Sequence, residues 1–214
     1  MRASGVLQGA ATVALGVAVL VSAQRARAQG FEPAHVEQQK LQLNVLAGWG
    51  FGGSVRDVAL GDDRSLQAAA VYGGALDIRA GAGWNAELYY SRQQTQLAGG
   101  AVAPFDVTLE RYLLGIQEEK GDEKVRWFGT FWLGGTRFIP GGGFDAATKF
   151  TGGLGLGLKA FFTRNVGLRL EARGFYTVVK GEGGLACVNG QCLFAFSGNG
   201  LLQGDVGGGL ILAF

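Results

Sequence analysis

Histidine occurs once in the 214-residue chain, at His35; cysteine occurs twice, at Cys187 and Cys192, and proline three times. Each scarcity removes a class of function. A single imidazole ahead of the first patterned segment cannot reach a serine such as Ser91 or Ser197, so histidine-assisted acyl transfer is not expected and the chain does not read as an enzyme. Two cysteines without further ligands cannot complete a zinc site, and neither a metal nor any other cofactor is expected. So few prolines argue against a disordered low-complexity chain. Charge is also sparse, at 17% of residues against about 25% in ordinary globular domains. The formal charge of +2 includes Arg2, Arg25 and Arg27; without them it is −1, which leaves no basic patch for nucleic acid.

What the chain has in abundance is glycine, 39 residues, far above the usual ~7%, and glycine suits crowded strands and tight turns. The last stretch shows its use. Phe214, Leu212, Leu210, Gly208, Val206, Gly204 and Leu202 fall on one face, and Ala213, Ile211, Gly209, Gly207, Asp205 and Gln203 on the other. A greasy face that ends in an aromatic terminal residue needs a cover, and a lipid bilayer is one.

In this closing strand, and in the alternation that runs from Leu41 onward, the chain resembles the small outer-membrane β-barrels of Gram-negative bacteria, of the outer-membrane protein A and X type. The resemblance implies an all-β fold, an eight-stranded antiparallel up-and-down transmembrane β-barrel. It also implies a terminal Phe214 read by the barrel assembly machinery, and a monomer set among outer-membrane lipid and lipopolysaccharide. It implies no particular activity.

The amino terminus reads as a secretory signal, residues 1–28: Met1-Arg2, an apolar run from Val6 to Val21, and small residues before Ala26-Arg27-Ala28. Cleavage after Ala28 leaves Gln29 first, and Val21-Ser22-Ala23 is a second site. The alternative, a helical anchor, lacks the ~20 apolar residues a spanning helix needs. Residues 29–40 read as a periplasmic lead-in and 41–214 as the barrel.

Eight strands follow. The first, Leu41 to Phe51, puts Leu43, Val45, Trp49 and Phe51 on one face. A polar loop holding Arg56, Asp57, Asp62, Asp63 and Arg64 leads to the second, Gln67 to Arg79, and a tight turn to the third, beginning at Trp84. In the fourth, Phe105 to Gln117, the outward set Phe105, Val107 and Leu109 is out of phase with Tyr112, Leu114 and Ile116. A β-bulge near Glu110-Arg111 would reconcile them and turn both charges inward. The fifth, Val125 to Phe138, is ambiguous, with Trp127 and Phe131 outward but Phe128 and Trp132 inward. The sixth, Phe150 to Phe162, and the seventh, from Val166, alternate cleanly; charges between the leucines of the seventh fit a wall with lipid outside and a polar lumen within. Connections after odd strands are long and those after even strands short, the pattern of extracellular loops and periplasmic turns. This topology places Trp84, Trp127, Phe162 and Phe214 at the periplasmic rim, and Trp49, Phe51, Tyr90, Phe105, Phe150 and Tyr176 at the outer rim, as two aromatic girdles to which Tyr72 and Phe131 are the exceptions.

The candidate lumen charges are Asp77, Glu87, Glu110, Glu171 and Asp205 against Arg79, Arg111, Arg126, Lys159, Arg169 and Arg173. An eight-stranded interior is one that side chains can just fill, so these charges are expected to pair. Most sit in the periplasmic half, while Gly48, Gly50, Gly73, Gly153 and Gly155 line the outer half, which predicts a closed floor beneath a small open vestibule. Gly153-Leu154-Gly155-Leu156-Gly157 is not a dinucleotide loop, since its period of two continues with no helix after it. Around Asn189-Gly190, a two-residue hairpin turn sets Cys187 opposite Cys192, and an exported chain makes a disulfide there the expectation. The functional expectation is a structural or adhesion-like surface role through the extracellular loops. The alternatives are a narrow pore, then a lipid-modifying enzyme.

Overall fold

The computed structural model describes residues 40–57, 61–99, 103–179, 184–188, 191–196 and 200–214, with backbone alone at 56–57, 184–188 and 191–196. The leader and the lead-in to residue 39 lie outside them. The described residues form β1 (Leu41–Phe51), β2 (Ser54–Asp57), β3 (Asp63–Leu66), β4 (Ala69–Gly81), β5 (Trp84–Ala98), β6 (Phe105–Gly121), β7 (Val125–Pro140), β8 (Ala147–Phe161), β9 (Val166–Val178), β10 (Gly184–Val188), β11 (Gln191–Phe196) and β12 (Gly200–Ala213).

Eight of them close into a ring, β1-β12-β9-β8-β7-β6-β5-β4, each antiparallel to its neighbours. The seam joins the two chain-terminal strands. Gln42 pairs with Ala213, and Leu41 and Phe214 exchange backbone hydrogen bonds at 3.2 and 2.8 Å. Closure leaves this wall no open edge. The outward positions carry the apolar residues: Leu154, Leu156, Leu202 and Phe214 are each about two-thirds exposed. Leaving such side chains in water forgoes roughly 1.5–3 kcal/mol apiece, and the patch far exceeds what soluble monomers tolerate. The surface is built for lipid.

The connections at one end are short: 82–83, 122–124 and 162–165. At the other end they run through 52–68, 99–104, 141–146 and 179–199. The polar loop of the sequence reading is in part ordered sheet. Arg56 pairs with Asp63 across β2 and β3, and β2 also pairs with β11, so strands β10-β11-β2-β3 extend the sheet beyond the mouth, joined to the wall at β5. Paired backbone groups and the buried Val55 and Leu66 hold this extension down.

The fourth strand of the sequence reading, β6, differs from expectation. Its register with β5 and with β7 is unbroken from end to end, so there is no bulge at Glu110-Arg111. Positions 107, 109, 111, 113, 117 and 119 are all buried inward, and Tyr112, Leu114 and Ile116 point out. Phe105, Val107 and Leu109 therefore face the lumen, not lipid. The apparent phase jump is a change in what the lumen contains, apolar toward the long loops and polar toward the short turns. A register irregularity does occur between Arg79 and Gly81, beside the first short turn.

Candidate functional site

The lumen is stacked in layers. At the long-loop end Val55, Leu66, Leu97, Val107, Leu109, Phe138 and Leu201 form one buried apolar cluster, with Phe105 and Phe144 packed against it. The expected vestibule is thus a filled cap. Below it lies a three-ring layer: Tyr89 is 5.7 Å from Trp132 and 6.2 Å from Phe175, which is 6.0 Å from Trp132. Arg111 lies 4.7 Å over the Phe175 ring and Arg173 5.0 Å over Tyr89.

These rings explain the glycines. A Cβ on Gly155 would lie 2.4 Å from the Trp132 ring, one on Gly115 would meet the other edge of that indole at 2.4 Å, and one on Gly157 would meet Phe128 at 2.4 Å. The glycine stripe of β8 is a set of sockets for the two large aromatics of β7. That resolves the ambiguous fifth strand: Trp132 fits inward between Gly115 and Gly155, and Phe128 fits against Gly157.

Toward the short turns the lumen is ionic. The Lys159 ammonium is buried and donates to Gln42 at 2.9 Å, Asp77 at 2.7 Å, Gln117 at 2.7 Å and Glu119. Arg169 donates to Glu87 at 2.8 Å and to Glu171 at 3.0 and 3.1 Å, and lies 4.5 Å over Phe128. Glu87 also accepts from the Trp132 indole at 2.6 Å and from Gln117 at 2.9 Å. Arg173 binds Asp205, and Arg126 lies 3.6 Å from Glu119. Asp77, Glu87, Glu119, Glu171 and Asp205 thus balance Arg111, Arg126, Lys159, Arg169 and Arg173. Each buried ion costs several kcal/mol of lost hydration, and only multiple close partners offset that. Phe161, Ile211 and Ala213 form a small apolar cluster at the short-turn end.

Most candidate lumen charges thus meet in one network; Arg79 is half-buried at the short-turn end. Glu110 stands elsewhere, on the outer wall between Arg92 and Arg137, because even positions of β6 face out and Glu110 is level with the rim, where a carboxylate can find cations. Glu119 was hidden by the charged run Glu118 to Lys124, which reads as a turn although β6 continues to Gly121. Its even spacing from Gln117 was the available signal. Asn44, which donates 3.1 Å to Asp77, also joins the network. Of the girdle residues, Trp49, Phe51, Trp84, Tyr90, Trp127, Phe150, Phe162, Tyr176 and Phe214 are exposed on the outer wall, whereas Phe105 lies in the mouth, its ring 5.9 Å from Phe144. Tyr112 stands beside Tyr90 at 5.1 Å instead. Cys187 pairs with Cys192 in the β10–β11 backbone register, and their side chains lie outside the described residues.

A closed eight-stranded antiparallel barrel with lipophilic outside and filled inside has the fold of the small outer-membrane β-barrels. Among solved structures, the chain is similar to Neisserial surface protein A, at 14% identity and a TM-score of 0.58, over 82% of this chain and 97% of that one. It is also similar to the outer membrane protein OprG of Pseudomonas aeruginosa, at 10% identity and a TM-score of 0.54, over 83% and 97%. At these identities the likeness is one of fold. No family model and no curated protein matches the sequence.

Proposed function

We propose that the chain is an integral outer-membrane barrel with a sealed lumen, acting structurally or as an adhesion-like surface protein through its long-loop end. The observation that carries this is the filling of the lumen among the described residues, where an apolar cluster, an aromatic layer and a paired ion network succeed one another. The sheet extension of β2, β3, β10 and β11 supports it, since it gives the loop end an ordered surface. In this reading a cleaved leader exports the chain, Phe214 addresses it to the assembly machinery, a Cys187–Cys192 disulfide braces the last loop, and the barrel is a monomer without catalytic chemistry.

The purified, folded chain in a planar bilayer is expected to be electrically silent, with insertion verified by protease protection. Steady ohmic openings altered by Arg173→Ala or Glu171→Ala would replace this reading with that of a narrow pore.

A further inference from the structure

On the outer wall centred on β5, β6 and β7, and reaching β4 and β1 at its lowest part, three zones stack along one column of outward residues. The lowest is an apolar groove of about 650 Å³ lined by Leu43, Leu76, Leu88, Leu114 and Leu133, with Gly74 giving it depth and the Tyr90 and Tyr112 rings at its top. The middle zone is a cross-strand row, Arg92 on β5, Glu110 on β6 and Arg137 on β7. The upper zone is a second groove, of about 620 Å³, whose outward walls carry Gln94, Gln96, Asp106, Thr108 and Ile139.

The middle row is arranged to present its arginines. Glu110 is 7% exposed; it accepts from Tyr112 at 3.0 Å and Tyr90 at 3.5 Å, so its carboxylate is held by phenols. The two guanidiniums stand off at 3.6 and 3.9 Å, beyond close hydrogen bonding, with side chains 38% and 50% exposed. Arg92 Nε is buried and has no acceptor among the described residues. Two cations against one carboxylate leave the row net positive. Arg92 and Glu110 lie one outward step beyond the paired Tyr90 and Tyr112 rings of the long-loop-side aromatic rim. Aromatic girdles mark the membrane interface, so the row sits at the head-group boundary on the long-loop side.

The geometry points to a binding site for one phosphorylated lipid with a hydroxyl-rich head group, drawn from the surrounding leaflet. Its acyl chains occupy the lower groove, its phosphate bridges Arg92 and Arg137, and its hydroxyls meet the amides and carboxylate above. Guanidinium forks suit phosphate oxygens, and the exposed ends of both arginines are free to turn toward one. Glu110 serves as the spacer that holds the arginines apart. This rests on the outer-membrane reading and adds a ligand to it.

The test is native mass spectrometry of the full chain folded in neutral detergent, titrated with a bisphosphorylated glucosamine-based lipid and with its dephosphorylated counterpart. Retention of one phosphorylated lipid per barrel is expected, weakened about tenfold in Arg92→Gln and in Arg137→Gln, unchanged in Lys120→Gln at the opposite rim, and retained or strengthened in Glu110→Gln. Equal retention of both lipids, or insensitivity to both arginine substitutions, overturns the proposal; so does displacement by millimolar inorganic phosphate, which would mark a plain anion site. If an arginine variant fails to fold, Glu110→Gln still decides, because arginines that serve only to neutralise Glu110 would lose their order and release the lipid. Lipid retention by a conducting barrel would overturn the sealed-lumen reading alone; a silent barrel without retention would overturn this one alone.

Discussion

The two halves of the lumen solve one problem by opposite means. Both must fill the narrow interior of an eight-stranded barrel. The long-loop half fills it with aliphatic and aromatic side chains, among them Leu97, Leu109, Phe138 and Leu201, which need no partner beyond contact. The short-turn half uses Lys159, Arg169 and five carboxylates, each dependent on several others. Apolar filling tolerates local loss, since neighbours relax into a cavity. The ionic half does not, because removing one ion strands the rest without water.

The largest effect is therefore expected from Lys159→Ala, which leaves Asp77 and Glu119 buried without their shared cation. A loss of about 3–5 kcal/mol is anticipated, read from urea unfolding of the barrel in lipid vesicles; a loss below 1 kcal/mol would mean that water already solvates the network. Next is Leu109→Ala in the cap, at about 2–4 kcal/mol for cavity and transfer combined, with no conductance gained because the ionic half still closes the path. Current through that variant would show that the cap is the seal. At the boundary between the halves, Gly155→Ala forces a methyl to 2.4 Å from Trp132, and a loss of about 1–3 kcal/mol is expected. The double variant with Trp132→Phe should recover part of it, and additivity of the two losses would refute the socket.

The smallest effect lies outside the lumen, at the exposed turn 122–124. The Asp122 carboxylate accepts from the backbone N–H of Val125 at 2.8 Å and of Lys124 at 2.9 Å, which holds its pKa below the ordinary 3.8. A folded-state pKa below the unfolded value means stability that is present above pH 3.8 and lost as pH falls through the lowered value. In Asp122→Asn this slight acid dependence should vanish from the unfolding midpoint, and an unchanged midpoint-versus-pH slope would assign the dependence elsewhere.

Legibility of the sequence followed the locality of each feature. In β8, β9 and β12 strict alternation with leucine on one side is a property of neighbours in the chain, so inside and outside were readable residue by residue. In β6 the inward residues change from Val107 and Leu109 to Arg111 and Glu119 within one strand, and hydrophobicity alone then misassigns the phase. The same error sent Glu110 inward and Phe105 outward. Trp132 looked misplaced for the same reason: its sockets, Gly115 and Gly155, lie on the two neighbouring strands.

The sequence by itself determined the eight barrel strands, the outward apolar stripe, the long and short ends and most of the outward-facing aromatics, because a period of two and the residues of tight turns are written locally. Only the tertiary structure decided that an apolar cluster packs into the outer half, that β2, β3, β10 and β11 extend the sheet, that Glu119 joins the ion network and that Glu110 stands between two arginines on the outer wall. Those depend on which strands closure brings together across the lumen and around the wall, from Lys159 to Gln42 or Arg111 to Gln203. No local pattern encodes such meetings.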